Sequence, residues 1–202
     1  MNVEMEMTLV LQTPPDGPVV TFPEMQAHLR QEDASELLSI GMYVDAATRN
    51  LDGRDGFLGR CLLTQIWKLK LDWFPPSIAV PLPPCQSVES ITYVDAAGQD
   101  QTLAAETYQV AGIGTPDGAR IVPAFGKSWP VTRRSLEAVT VTFKAGYGDH
   151  AEDVPEPIRT AIKMQAASLY ENRESVLVGG DSIIDLSQPV LDLISGYRTW
   201  SF

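Results

Sequence analysis

The sequence predicts an α+β chain whose body is mainly helical, a helical bundle with a β-rich insertion between its N-terminal and C-terminal helices. Three observations predict it. Helix-capping signals followed by apolar residues three and four apart recur toward both ends of the chain. The middle changes to a period of two, the spacing of a half-buried strand. Prolines and glycines cut that middle into short pieces, as hairpins require. The expected division is an N-terminal extension over 1–20, helices over 21–64, the β-rich insertion over 65–149, and helices with a tail over 150–202, all in one compact domain.

The elements follow in order. Thr21-Phe22-Pro23-Glu24 carries a capping threonine, a first-turn proline and the glutamate of a capping box, so a short helix is expected to about Arg30. Asp33 with Glu36 repeats the pattern. Leu37, Ile40, Val44, Ala47 and Leu51 then make one apolar stripe that ends near Asp52-Gly53. A further helical stretch is expected from about Gly56 to Leu63. Trp67, Leu69, Leu71 and Trp73 alternate with polar residues and predict a strand. The proline-rich run from Phe74 to Pro84 lacks the N–H groups of a central strand and reads as an extended edge or connector. A hairpin is expected around Asp95 to Asp100, with short strands at 108–110 and 120–122. The strongest strand is Val139 to Lys144, with Val139, Val141 and Phe143 on one face. Asp153-Val154-Pro155-Glu156 opens a third helix toward Arg173, and Ser187-Gln188-Pro189 starts a short fourth that Gly196 ends.

At 202 residues, 44% hydrophobic and 20% charged, the chain can bury a sizeable core without metals or disulfides. Its net charge of −11 argues against gripping nucleic acid, because that affinity comes mainly from Lys and Arg neutralising phosphates. Cys61 and Cys85 lack CxxC spacing and read as small buried side chains of a reducing compartment. The N-terminus has acids where a signal peptide carries bases, and no segment approaches the ~20 apolar residues of a membrane span. The expected location is the cytoplasm, with no membrane partner.

Catalytic chemistry finds little support. Only His28 and His150 could serve as the base of a serine hydrolase. His28 lies in an amphipathic helix, where a solvated histidine is the ordinary use. His150 stands among Asp149, Glu152 and Asp153, carboxylates that could hold a cation, but without the alternating ligands of a calcium loop. The glycines of 111–118 lack the Lys-Ser/Thr and helix of a phosphate loop and read as a turn. A hydrolase working through two convergent carboxylates remains open with 26 acids present. Trp67, Trp73 and Trp129 lie in the β region, and a carbohydrate- or surface-binding module built on them is the alternative reading. No metal and no cofactor is expected.

Two features suit either ordinary structural roles, docking on the chain's own core for the first and a solvated turn for the second, or contacts with other proteins. Tyr197, Trp200 and Phe202 crowd the C-terminal hexapeptide, and three aromatics so close together are costly to leave in water. Arg133 and Arg134 make an electropositive spot suited to a neighbouring subunit's acids.

The order of several segments carries a resemblance. These are Leu63 to Trp67 with Asp72 to Pro75, Pro83 to Val88, Ile91 to Asp95, Ser128-Trp129-Pro130, Val139-Thr140-Val141 with Ala145 to Gly148, and Val154 to Ile162 leading to Tyr170 to Glu174. Together they resemble the head-tail connector (adaptor) proteins of long-tailed phages, prophages and gene transfer agents. The resemblance implies a non-enzymatic subunit in a ring of about twelve copies below the portal protein. It also implies a C-terminal segment that reaches into the portal, a ring that extends the DNA channel, and a surface for a stopper or tail-completion protein. DNA would pass without specific binding, and the protein would end in the virion at the head-tail junction.

Overall fold

Residues 65–71 and 139–145, the two most regular alternations in the sequence, lie side by side in a sheet. The computed structural model describes residues 7–31, 33, 36–172 and 186–199. Its strands are β1 (Met7–Thr13), β2 (Gln65–Leu71), β3 (Ile78–Val80), β4 (Cys85–Val94), β5 (Asp100–Thr102), β6 (Tyr108–Ala111), β7 (Ala119–Pro123) and β8 (Val139–Ala145). Its helices are α1 (Phe22–Leu29), α2 (Leu37–Leu51), α3 (Glu156–Glu171) and α4 (Gln188–Ile194). They fall into two compact units. Unit 1 comprises residues 1–15 and 64–147, and unit 2 comprises residues 16–63 and 148–202.

Unit 1 is antiparallel throughout, with a five-stranded sheet ordered β1-β2-β8-β4-β5 and a three-stranded sheet ordered β3-β7-β6. In β2 every second residue is buried, and Trp67, Leu69 and Leu71 stand opposite Phe143, Val141 and Val139 of β8. Ile91 of β4 extends this buried face from the other side of β8. Each such side chain stabilises the unit by about 1.5–3 kcal/mol relative to exposure. Ile78, Val80 and Ile121 form the buried face of the smaller sheet.

Unit 2 packs α2 and α4 against α3, with α1 beside α2. Ile40, Val44, Ala47 and Leu51 bury one stripe of α2, and Ile158, Ala161, Ile162, Ala166 and Leu169 bury the facing stripe of α3. Tyr43 meets Tyr170 edge to face at 6.2 Å, and the Tyr170 hydroxyl accepts from Gln31 Nε2 at 3.0 Å. Arg159 of α3 pairs with Glu24 of α1, and its Nη1 reaches Glu156 at 3.0 Å. Burial pushes the Glu24 carboxyl up, but hydrogen bonds from Thr21 and then Arg159 outweigh it and hold the pKa below its ordinary 4.5. A folded pKa below the unfolded one means that the pair stabilises above pH 4.5 and loses its contribution as pH falls through the lowered value. Glu24→Gln should therefore destabilise the protein at neutral pH. Urea titrations between about pH 7 and about pH 3 should show the gap to the wild type closing as acid is added.

The fold is not a mainly helical bundle. Among the described residues, helix and strand take about equal shares, and eight strands in two antiparallel sheets make it a β-rich α+β fold. Residues 7–13, to which periodicity assigns no element, form β1 by pairing with β2 from Met7 opposite Leu71 onward. The proline-rich stretch supplies β3 and leads into β4 at Cys85.

The helical stretch expected over 56–63 is also absent. Gly53 and Gly59 adopt positive φ, and the N–H groups of Phe57 and Leu58 bond to Asn50 and Leu51 carbonyls at 2.8 and 3.3 Å. The Asp52 carboxylate then takes the Leu62 N–H at 2.7 Å. The chain folds back on the end of α2 instead of continuing as a helix. No helix among the described residues is long and apolar enough to cross a membrane.

Candidate interaction site

Two segments far apart in sequence meet on unit 1, Asp72-Trp73-Phe74 after β2 and Trp129 to Leu136 before β8. Hydrogen bonds to β4, to the residue after it and to Asp72 hold the second segment and the residues that follow it in place. Arg133 N–H bonds to Val94 O at 3.0 Å, and Val94 N–H to Ala138 O at 2.9 Å. Thr132 forms a bridge with Asp95, and Glu137 N–H bonds to Asp72 Oδ1 at 2.9 Å. Lys70 adds an ion pair with Glu137 at 2.6 Å.

Between the segments lies an open groove of about 940 Å³. Phe74 stacks on Trp129 at 4.8 Å and 11° and meets Tyr93 edge to face at 5.7 Å, which fixes both rings. The Trp129 indole N–H is buried with no hydrogen-bond partner, a condition that costs about 1–3 kcal/mol. Val131 and Leu136 are each 77% exposed beside these rings. An apolar strip left in water on a pinned backbone is the mark of a surface that a partner covers.

Arg133 and Arg134 both line this groove, so the structure brings the predicted electropositive spot together with two of the tryptophans. Among the described residues neither arginine has an acid within ion-pair distance. The Arg133 guanidinium lies over the β4–β5 turn, its Nη1 2.8 Å from where a side chain on Gly98 would begin. Beside that turn the Asp95 carboxyl is held below its ordinary value by hydrogen bonds from Gln99, Gln101 and Ala97.

The other candidate residues lie elsewhere. Trp67 is buried, its Nε1 donating to Gln65 Oε1 at 3.0 Å. Tyr197 is half-buried in a 3₁₀ turn after α4 in unit 2. Next to it Arg198 sits over the Phe57 ring at 4.5 Å, and Thr199 N–H bonds to Leu58 O at 2.9 Å. Trp200 and Phe202 lie outside the described residues. His28 is exposed on α1, while the backbone N–H of His150 donates to Asp153 Oδ2 at 2.9 Å and caps a turn. Cys61 and Cys85 are both buried, and burial pushes the Cys85 thiol up to about 11, so it stays protonated at neutral pH. Among the described residues no three His, Cys, Asp or Glu converge as a metal would need. The glycines of 111–118 form the turn between β6 and β7.

Sequence reasoning missed Phe74, Val131 and Leu136, and also Phe125, which is 99% exposed at a loop tip. Their signal is weak: large apolar residues in stretches that follow neither period and so have no core face of their own.

No family model matches the sequence, and no curated protein matches it. Solved structures do. One match is a chain of the neck of an empty GTA particle computed with C6 symmetry, with TM-score 0.75 and 24% identity over 96% of this chain and 97% of that one. A chain from the virion of a native gene transfer agent (GTA) particle matches with TM-score 0.74 and 25% identity over 96% of both chains. A chain of the neck of a native GTA particle computed with C12 symmetry matches with TM-score 0.64 and 24% identity over 96% and 97%. The chain thus has, over 96% of its length, the fold of chains in such particles.

Proposed function

We propose that this protein is a non-enzymatic structural subunit of the neck of a gene transfer agent or tailed-phage particle, where it forms a ring of about twelve copies as head-tail adaptor. In this reading it sits below the portal, extends the DNA channel and offers its far side to a stopper or tail-completion protein. The observation that carries it is the likeness over 96% of the chain to chains of particles whose necks were computed with C6 and C12 symmetry. The groove on unit 1 agrees, since apolar side chains and two unpaired arginines suit a protein partner better than a reaction. A net charge of −11 would let DNA slide past the channel wall.

Native mass measurements on the purified chain, alone and with the portal of the same particle, test the reading. A closed multi-copy assembly in either sample is expected, and a monomer in both would overturn it. A truncation series locates the portal contact. Deleting residues 200–202 should leave the unfolding midpoint unchanged and abolish portal association. Deleting from Arg198 should also lower stability by about 1–3 kcal/mol, because the Arg198–Phe57 contact and the Thr199–Leu58 hydrogen bond go with it.

A further inference from the structure

The two units differ sharply in charge. Unit 1 holds nine acids against seven bases, a net −2, and unit 2 holds seventeen against eight, a net −9. The bases of unit 1 include the unpaired Arg133 and Arg134 of the apolar groove.

Unit 2 carries an exposed apolar surface. The buried stripe of α2 satisfies the core, yet Leu38 and Met42 on another face of the same helix are 79% and 65% exposed. They are four residues apart, and the exposed Asp45 follows three residues later. A surface helix ordinarily turns charged residues outward. An outer face with apolar anchors at i and i+4 and an acid at i+7 is the pattern by which a helix lies in a groove. Arg49, one turn further, marks the end of this ridge.

We infer that the groove of unit 1 receives the α2 ridge of a second copy of this chain, with Leu38 and Met42 against Phe74, Val131 and Leu136, and Asp45 facing Arg133 and Arg134. The inference rests on the ring reading above and supplies its contact. Charge selects this occupant. Groove against groove would set arginines against arginines, and ridge against ridge would set two units of charge −9 together. Groove against ridge instead sets the two arginines opposite Asp45. A contact between two different patches of one chain is heterologous, so each copy in such a contact keeps one unused groove or ridge for a further copy. Repetition of such a contact closes into a ring when the rotation permits.

The test uses full-length chains with portal, read by native mass and sedimentation, with circular dichroism and urea midpoints as fold controls. All the altered side chains are exposed, so folding should be kept. Arg133→Glu with Arg134→Glu should weaken assembly at least tenfold, about the effect of losing one close charge pair. Leu38→Glu with Met42→Glu should do the same from the other side. Mixed together, the two variants should pair and stop, because each keeps one intact half of the contact. If the groove variant assembles like the wild type, the inference falls while the adaptor reading stands. If only the groove variant fails and the ridge variant assembles normally, the groove has another partner and the inference is again overturned. If the wild type itself forms no assembly with portal, the proposed function fails first.

Discussion

Phe143→Ala should destabilise the protein by about 3–5 kcal/mol, enough to leave a marginally stable chain largely unfolded. Phe143 is fully buried in β8, the middle strand of the larger sheet, opposite Trp67 on β2 and Val88 on β4. Removing the ring takes apolar area out of the core and leaves a cavity flanked by two paired strands, which cannot collapse without giving up their register. Urea unfolding followed by tryptophan fluorescence measures the effect, and Trp67 beside the lesion reports it directly. Phe143→Leu, closer in volume, should cost less than about 1.5 kcal/mol. A loss below about 1 kcal/mol for the alanine variant would mean that β8 is not the centre of the unit's packing.

Gly56→Ala should have the second large effect, about 3 kcal/mol or more, by overpacking instead of by cavity. A Cβ at this position would lie 2.4 Å from the Asp52 carbonyl oxygen and 2.5 Å from the Leu51 carbonyl carbon. Both are backbone atoms at the end of α2, so no side-chain rotation can relieve the contact. The loop would have to lift from α2 and break the Phe57–Asn50 and Gly53–Arg60 hydrogen bonds, each 2.8 Å. That loop also carries Leu58 and Phe57, which hold Thr199 and Arg198. In the adaptor reading, the variant should lose portal association before it loses its secondary structure. Thermal unfolding and portal binding measured on the same sample separate the two. A variant as stable as the wild type would show that the loop can stand away from α2.

The candidate site was half legible. Arg133 and Arg134 stood out as adjacent cations, and Trp73 and Trp129 as large side chains in a β region. Their meeting in one groove was not, because Asp72 and Glu137 are brought together by a hydrogen bond that spans most of unit 1 in sequence. Leu38 and Met42 escaped notice because the core stripe of α2 accounts for its helical spacing, and two further apolar residues read as scatter.

The sequence by itself determined the alternation of β2 and β8, the proline-opened starts of α1, α3 and α4, the buried stripes of α2 and α3, and the acidic balance. These depend on neighbours within a turn or a pleat, and period and capping chemistry express them locally. The tertiary structure alone decided that residues 7–13 are a strand, that 56–63 are not a helix, and that β rivals α in share. β1 is a mostly exposed edge whose inward backbone groups pair with β2, more than fifty residues away, and the 53–62 loop bonds to the end of α2. A backbone hydrogen bond to a distant partner leaves no period in the sequence, so only the folded chain reveals it.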